Sequence, residues 1–314
     1  MLRDAPARLL VAAVIAAGLL GGDLVAGAAD RAAAFTVGVL RRDAIVVPFA
    51  TYDGRKWRAD WPEPRDHDDV PVSLRSVPKG WWGAAGVRDT WQAWVDRDPP
   101  RLLTVLQPDW YQAYCRHGVG LKTDYRAREP LPDPRARPYP TDGLVVSPPQ
   151  SVTRIDVLPA DDPARARVAP AIVTMFNRTE REIEGHPVGR AEREALTPVV
   201  EALYAIDGGR VVYVEAAREY PQRSDPSACK VVAFGGGWFV RGGDNRYTPL
   251  QTYVTVLDCD RDGASYMLPL GVLRLGDRTF WLAQFSGWDE EQYEVSEIKP
   301  KAVERLAVRF GGGC

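Results

Sequence analysis

The sequence predicts a β-dominant α+β fold: first a Trp-rich β region, then an antiparallel meander with one or two helices packed on it. Three observations lead to this class. Residues 35–58 and most of the chain after Asp207 are short β-rich runs between turn residues, whereas helical periodicity is confined to residues 168–204. The turns between the later runs are short, and short turns make consecutive strands antiparallel neighbours.

The first 28 residues predict a secretory signal peptide. Arg3 and Arg8 precede the apolar residues 9–20, and the small-residue run Ala-Gly-Ala ending at Ala28 offers a cleavage position. The apolar stretch is shorter than the ~20 residues of a spanning helix, so no stable membrane span is expected after cleavage. We therefore expect a secreted or periplasmic protein, and an uncleaved N-terminal anchor is the alternative.

Residues 29–128 form the predicted β-rich region. A hairpin is expected at residues 35–51, and a short helix at residues 90–95, where a leading threonine can act as N-cap. Further strands are expected at residues 101–106 and 110–123. Seven of the ten tryptophans lie between positions 57 and 110, and such rings either fill a small core or stack on sugar rings.

Residues 129–150 predict a linker or surface crossing, because their seven prolines block strand pairing and helix interiors. Residues 151–314 form the second predicted region, which either stands alone or makes one domain with residues 29–128. The first helix of this region is predicted by six residues that share one helical face: Val168, Ile172, Met175, Phe176, Thr179 and Ile183. A second helix is expected at residues 191–204. The expected strands are residues 211–217, 230–240, 251–258, 265–273, 279–285 and 292–298.

The four cysteines predict two disulfides, provided that the protein enters an oxidising compartment. A hairpin centred on Asp244 would place Cys229 opposite Cys259 at bridging distance. Cys115 and Cys314 then remain and pair by elimination, which ties the C-terminal tail to the first half of the chain. Four unpaired thiols are the alternative, and no Cys-x-x-Cys motif indicates a redox site or a zinc ribbon.

An acidic turn is the candidate metal site. Asp258, Asp260 and Asp262 alternate before a glycine, a pattern typical of loops that hold Ca²⁺ through oxygen ligands. Pro269 stands at the twelfth position, where an EF-hand needs a bidentate glutamate, so an EF-hand is excluded. A looser calcium turn between strands remains, and a plain Asp-Gly hairpin turn is the favoured alternative.

Trp81, Trp82 and Glu215 are the candidate ligand-binding residues. Adjacent residues of a strand point to opposite faces, so one of the two indoles would be exposed if the segment is extended. Glu215 lies in the apolar run of residues 211–216, where burial would raise the pKa of its carboxyl and suit it to general acid chemistry. The favoured alternatives are core packing for the tryptophans and a salt bridge for the glutamate.

Composition and missing motifs narrow the function. Forty basic against 42 acidic residues give a formal charge of −2, so nucleic acid is not an expected partner, although a local basic patch stays open. No Gly-x-Ser-x-Gly, His-Glu-x-x-His or P-loop motif is present. We expect a non-catalytic envelope or extracellular binding or structural module, with a glycan or an envelope protein as partner and Ca²⁺ as the one candidate cofactor. A glycan-directed hydrolase with two carboxylates across an aromatic cleft and a calcium-stabilised adhesion module are the alternatives.

Overall fold

The computed structural model describes residues 34–65, 90–95, 98–128, 141–220, 230–257, 261 and 263–314. Strands dominate these residues and two helices accompany them, which confirms the predicted β-dominant α+β class. The strands of the first half are β1 Phe35–Arg41, β2 Ile45–Tyr52, β3 Trp57–Arg58, β4 Thr90–Val95, β5 Arg101–Ala113, β6 Arg116–Thr123 and β7 Thr141–Ser147. The elements that follow are β8 Val152–Thr153, β9 Asp156–Val157, α1 Pro163–Glu182, α2 Arg190–Ala195, β10 Val199–Ile206, β11 Val211–Glu219, β12 Val232–Arg241, β13 Tyr247–Leu257, β14 Tyr266–Leu275, β15 Arg278–Ser286, β16 Glu290–Lys299 and β17 Ala302–Gly313.

Six strands of the first half form a closed antiparallel sheet. They follow the order β1-β7-β4-β5-β6-β2, and β1 pairs with β2 to complete the ring. The register between β1 and β2 shifts next to Gly38, where Phe49 of β2 is the extra residue. A Cβ at Gly38 would lie 2.8 Å from the Val47 carbonyl oxygen, so glycine permits the close approach of the two strands. One apolar cluster fills the interior with side chains from all six strands, among them Leu40, Val46, Trp91, Leu103, Leu121 and Val145.

The predicted antiparallel meander is present and divides into two sheets. One, here called the helix-covered sheet, has the strand order β13-β12-β11-β10-β9. The other, here called the central sheet, has the order β17-β16-β15-β14-β8. Consecutive long strands pair antiparallel in both, because the turns that join them are short.

The layers are stacked in the order α1, helix-covered sheet, central sheet and closed sheet. Phe176 of α1 and Val212 of β11 belong to one apolar cluster. Trp281 of β15 joins Tyr213 of β11 in a second cluster between the two open sheets. Its neighbour Phe280 belongs to a third cluster, shared with the closed sheet. The central sheet is therefore buried on both faces, and β15 reads as a nearly continuous hydrophobic run.

Two of the helices predicted from the sequence are wrong in whole or in part. Residues 90–95 form strand β4, in which Trp91 and Ala93 are buried at the two-residue period of a strand. The second predicted helix ends at Ala195, and residues 199–206 form β10, which pairs with β11. Pairing with neighbouring strands outweighs the weak helical preference of these segments.

Part of the predicted linker belongs to the closed sheet. Residues 141–147 form β7, which lies between β1 and β4, whereas residues 129–140 are outside the described residues. Leu144 and Val146 of β7 share an apolar cluster with Leu273 of the central sheet. The two predicted regions of the chain are thus joined by a common core.

The predicted disulfide between Cys115 and Cys314 is present, with Cα atoms 5.0 Å apart. Cys115 lies in the turn between β5 and β6, and Cys314 directly follows β17. The bridge therefore fastens the last strand of the central sheet to the closed sheet. The other predicted pair, Cys229 and Cys259, lies outside the described residues.

Candidate anion-binding cleft

A cleft of about 750 Å³ lies where the closed sheet meets β8, β9 and β14. Its volume is within the ~300–1,000 Å³ that small-ligand sites occupy. Residues of the closed sheet and its turns form one wall, and residues 268–270 of β14 contribute to the other. Five arginines line the cleft: Arg42, Arg101, Arg126, Arg128 and Arg154.

The five arginines come from turns and strand ends of separate elements. The first lies in the β1–β2 turn, the second begins β5, two follow β6, and the last lies between β8 and β9. Such positions leave the charged guanidinium groups in contact with water, as is usual for arginine. The only acidic residues among the described residues of the lining are Asp98 and Asp142, so three positive charges are left over.

Asp142 is held by two partners inside the cleft. The Arg42 Nε lies 3.4 Å from Asp142 Oδ1, and the Tyr125 hydroxyl donates a hydrogen bond to Oδ2. Burial, reinforced by this hydrogen bond to a carboxylate, raises the pKa of Tyr125 to about 12. The phenol therefore stays protonated at physiological pH and continues to donate to Asp142.

Asp98 pairs more loosely at the mouth of the cleft. Its Oδ2 lies 3.3 Å from Arg128 Nη2, and both side chains are largely exposed. Arg154 donates to the Asp98 backbone carbonyl, which carries no net charge. An exposed ion pair of this kind contributes little to stability and can open when a stronger anion arrives.

Arg101, Arg126 and Arg154 have no carboxylate partner among the described residues. The Arg101 guanidinium lies over the Tyr125 ring, 4.4 Å from its centroid, so the ring holds the cation without neutralising it. Guanidinium groups present donors in a planar fork that matches carboxylate, sulfate and phosphate oxygens. The cleft can therefore bind an anionic group and supply several charge-assisted hydrogen bonds to it.

The shape of the cleft depends on a close approach between β7 and β4. Gly143 of β7 lines the cleft, and a Cβ at this position would lie only 2.0 Å from the Trp94 carbonyl oxygen. Glycine is therefore required where the two strands pass each other. Trp94 and Tyr125 add aromatic surface to the same lining.

Glu215, predicted as a ligand-binding residue, does not line this cleft. It is 2% exposed and lies between the helix-covered and central sheets, where its Oε1 accepts a hydrogen bond from the Met267 backbone N–H at 2.5 Å. Burial raises the pKa of its carboxyl to about 7, and nearby Glu201 adds to the effect. The alternative of a salt bridge is not seen among the described residues, where Arg218 pairs with Glu180 instead, at 2.7 Å.

Several predicted sites lie outside the described residues: Trp81, Trp82, Asp258, Asp260, Asp262 and the signal peptide of residues 1–28. Of the other clustered tryptophans, Trp57, Trp61 and Trp91 are buried in apolar clusters. Within the described part of the chain, no three histidine, cysteine, aspartate or glutamate side chains are placed to share a metal ion. Neither helix in that part is both long and apolar enough to cross a membrane.

Sequence reasoning missed the cleft. Its arginines are spread from position 42 to position 154, and the formal charge of −2 conceals their local excess. The one available signal was Arg126-Ala-Arg128, two cations directly after a strand, which is too common to indicate a site by itself.

The fold and the cleft together define the class of protein: a β-dominant α+β chain with a closed six-stranded sheet and a basic, partly aromatic cleft at its edge. Comparisons of the chain with protein-family models, with curated proteins and with solved structures find no match. The chemistry of the cleft therefore has to indicate the ligand.

Proposed function

We propose that this chain is an exported, non-catalytic binding module whose cleft holds an anionic ligand. One observation carries the proposal: among the described residues, a single concave site is lined by five guanidinium groups and two carboxylates. Paired, charge-assisted hydrogen bonds from arginine are the strong and geometrically specific way to hold carboxylate, sulfate or phosphate groups. The signal peptide expected from the first 28 residues would bring the cleft to ligands outside the cytoplasm.

The engagement of the two aspartates supports binding over hydrolysis. Asp142 is held by Arg42 and Tyr125, and Asp98 by Arg128. A glycan hydrolase needs one carboxyl that donates a proton and a second that acts as base or nucleophile, both directed at the substrate. In this cleft both carboxylates contact arginine side chains, Asp142 in a mostly buried pair and Asp98 in an exposed one.

Replacing Arg126 and Arg154 with glutamine should weaken anion binding. These two guanidinium groups have no carboxylate partner among the described residues, so the ligand is the group that would use their charge. A hydrogen bond to a charged group contributes about 1.5–3 kcal/mol, so the double variant should lose at least about tenfold in affinity. Isothermal titration with inorganic sulfate, inorganic phosphate and galacturonate, at low and physiological ionic strength, measures the loss.

The matched control removes an arginine from elsewhere on the surface. Arg246 lies in the β12–β13 turn, is exposed and pairs with Asp244 at 3.9 Å, and does not line the cleft. Arg246→Gln should retain the affinity of the unaltered protein. Equal weakening by Arg246→Gln and by the cleft variant, or no anion binding by the unaltered protein, would contradict the proposal.

A further inference from the structure

An exposed aromatic groove adjoins the basic cleft. Trp288 lies in the turn between β15 and β16 and is 67% exposed. With Tyr266 and Leu268 it lines a groove of about 320 Å³. Leu268 also lines the cleft, so the groove and the cleft share a wall and open next to each other.

The turn that carries Trp288 is held firmly even though its indole is exposed. The Tyr114 hydroxyl of the closed sheet donates to the Glu290 carbonyl at 3.0 Å, and the Cys314 N–H donates to the Asp289 carbonyl at 2.8 Å. The second of these contacts lies next to the disulfide. These contacts fix the backbone that carries the indole, so less ordering is needed when a ligand packs on the ring.

The groove itself takes an uncharged part of a ligand. Its arginine, Arg261, is already paired with Glu201 at 2.6 Å and with Glu219 at 2.7 Å. The rest of its lining is mainly apolar or aromatic. Anionic groups are therefore drawn to the cleft, and a flat apolar face is drawn to Trp288.

The groove and the cleft adjoin along β14, with Leu268 in the lining of both. Tyr266 lines the groove and Leu270 lines the cleft, and both belong to β14. Four residues of extended strand span ~13 Å at ~3.3 Å per residue. The combined length of the two sites along β14 thus exceeds one sugar ring, and a chain of several rings can occupy the groove and the cleft together.

We propose that the groove and the cleft are two subsites for one ligand, an oligosaccharide of anionic sugars. One ring stacks on Trp288 through its apolar C–H face. The carboxylate or sulfate groups of the following rings bind the cleft arginines that have no carboxylate partner among the described residues. The inference rests on the proposed anion-binding function and adds the class of ligand. Nucleotide bases also stack on indoles, but export and a formal charge of −2 favour a glycan over a nucleic acid.

Titration of a chain-length series tests the two subsites. The probes are galacturonate monomer, hexagalacturonate, a sulfated hexasaccharide and a single-stranded hexanucleotide. Trp288→Ala should weaken binding of an anionic hexasaccharide about tenfold and leave the affinity for the monomer unchanged, because truncation of an aromatic anchor removes the contact made only by the longer ligand. Trp288→Phe should restore most of the affinity. Leu106→Ala, which also removes an exposed hydrophobic side chain but on β5, is the matched control and should change neither affinity.

The outcomes separate the two proposals. If Trp288→Ala leaves hexasaccharide binding unchanged while Arg126→Gln with Arg154→Gln weakens it, the aromatic subsite is wrong and anion binding stands. If the arginine variant binds every anion as well as the unaltered protein does, anion binding itself is wrong. If the hexanucleotide binds more tightly than both hexasaccharides and depends on Trp288, the glycan assignment is overturned in favour of nucleic acid. The hexasaccharide whose affinity falls more in the arginine variant, hexagalacturonate or the sulfated one, shows which anionic group the cleft prefers.

Discussion

Glu215 is a carboxyl group enclosed between two sheets. Tyr204 and Tyr213 lie near it, and the pKa values of both phenols rise through burial with a contribution from its charge. It accepts a hydrogen bond from the backbone of Met267, 52 residues further along the chain. The apolar run around Glu215 predicted this burial, but the partner could not be predicted, because it comes from a sheet that packs on β11 only in the folded molecule.

Glu215 should make the protein less stable as the pH rises. The carboxyl ionises near pH 4.5 in the unfolded chain but has a pKa of about 7 in the folded protein. Its neutral form is therefore favoured by folding, and the free energy of unfolding falls between those pH values and is then level. The difference between the two pKa values corresponds to a loss of about 3 kcal/mol in the free energy of unfolding. Glu215→Gln should remove this part of the fall, as urea unfolding at pH 4.5 and pH 8 would show.

The comparison between variant and unaltered protein isolates this one group. Burial also raises the pKa values of Glu291 and Glu294, so the unaltered protein loses stability with rising pH at more than one site. Glu304→Gln, an exposed position on β17, is the control and should follow the unaltered protein. An identical pH dependence for Glu215→Gln and the unaltered protein would show that ionisation of this carboxyl does not lower the free energy of unfolding.

At the scale of elements, a buried ion pair fixes α1 on the helix-covered sheet. The Arg218 Nη1 of β11 lies 2.7 Å from the Glu180 Oε2 of α1, and both side chains are almost fully buried. The Tyr220 hydroxyl donates to the other carboxylate oxygen at 2.7 Å, and Arg218 also donates to Asn177 at 2.8 Å. Both carboxylate oxygens of Glu180 are therefore satisfied, which makes the contact specific for one orientation of the helix.

Glu180→Gln should destabilise the protein strongly. The substitution keeps the shape of the side chain but leaves Arg218 as a buried charge without a counter-ion. Removal of one partner of a buried pair costs about 3–5 kcal/mol. Glu182→Gln, two residues later on the exposed face of the same helix, should change the free energy of unfolding by less than about 0.5 kcal/mol. Urea unfolding measures the free energy of unfolding of both variants. A similar small change in the two would mean that the Glu180–Arg218 pair does not stabilise the fold.

The elements that could be predicted from sequence are those whose pattern agrees with their packing. The apolar face that begins at Val168 predicts α1, and that face does pack on a sheet. The helix predicted over residues 191–204 is wrong in its second half, because a short run is too brief to distinguish helical from strand spacing. Residues 199–206 form β10 instead. Their position between β9 and β11 makes them a strand, and no local sequence pattern shows that position.

At the scale of the whole molecule, the cleft could not be predicted, because it is assembled by closure of a sheet. β1 and β7 are neighbours although about a hundred residues separate them in sequence, and this pairing brings Arg42 beside Asp142. The β-dominant class could be predicted, because local β-rich runs and short turns are enough to indicate it. The site needs contacts between distant segments, which a single sequence does not display.

The disulfide between Cys115 and Cys314 acts on the whole molecule, since 199 residues separate the two cysteines. Crosslinking so long a loop restricts the unfolded chain, and the chain-entropy model gives about 5 kcal/mol for a loop of this length. Replacing both cysteines with serine should therefore lower the free energy of unfolding by up to that amount.

The bridge also adjoins the turn that carries Trp288, so the same variant should weaken hexasaccharide binding more than monomer binding. Urea unfolding and titration are best made with Cys229 and Cys259 also replaced by serine, so that only this bridge differs. A change of less than about 1 kcal/mol, smaller than the usual range for native disulfides, would show that the closed and central sheets are held together by their shared apolar core alone.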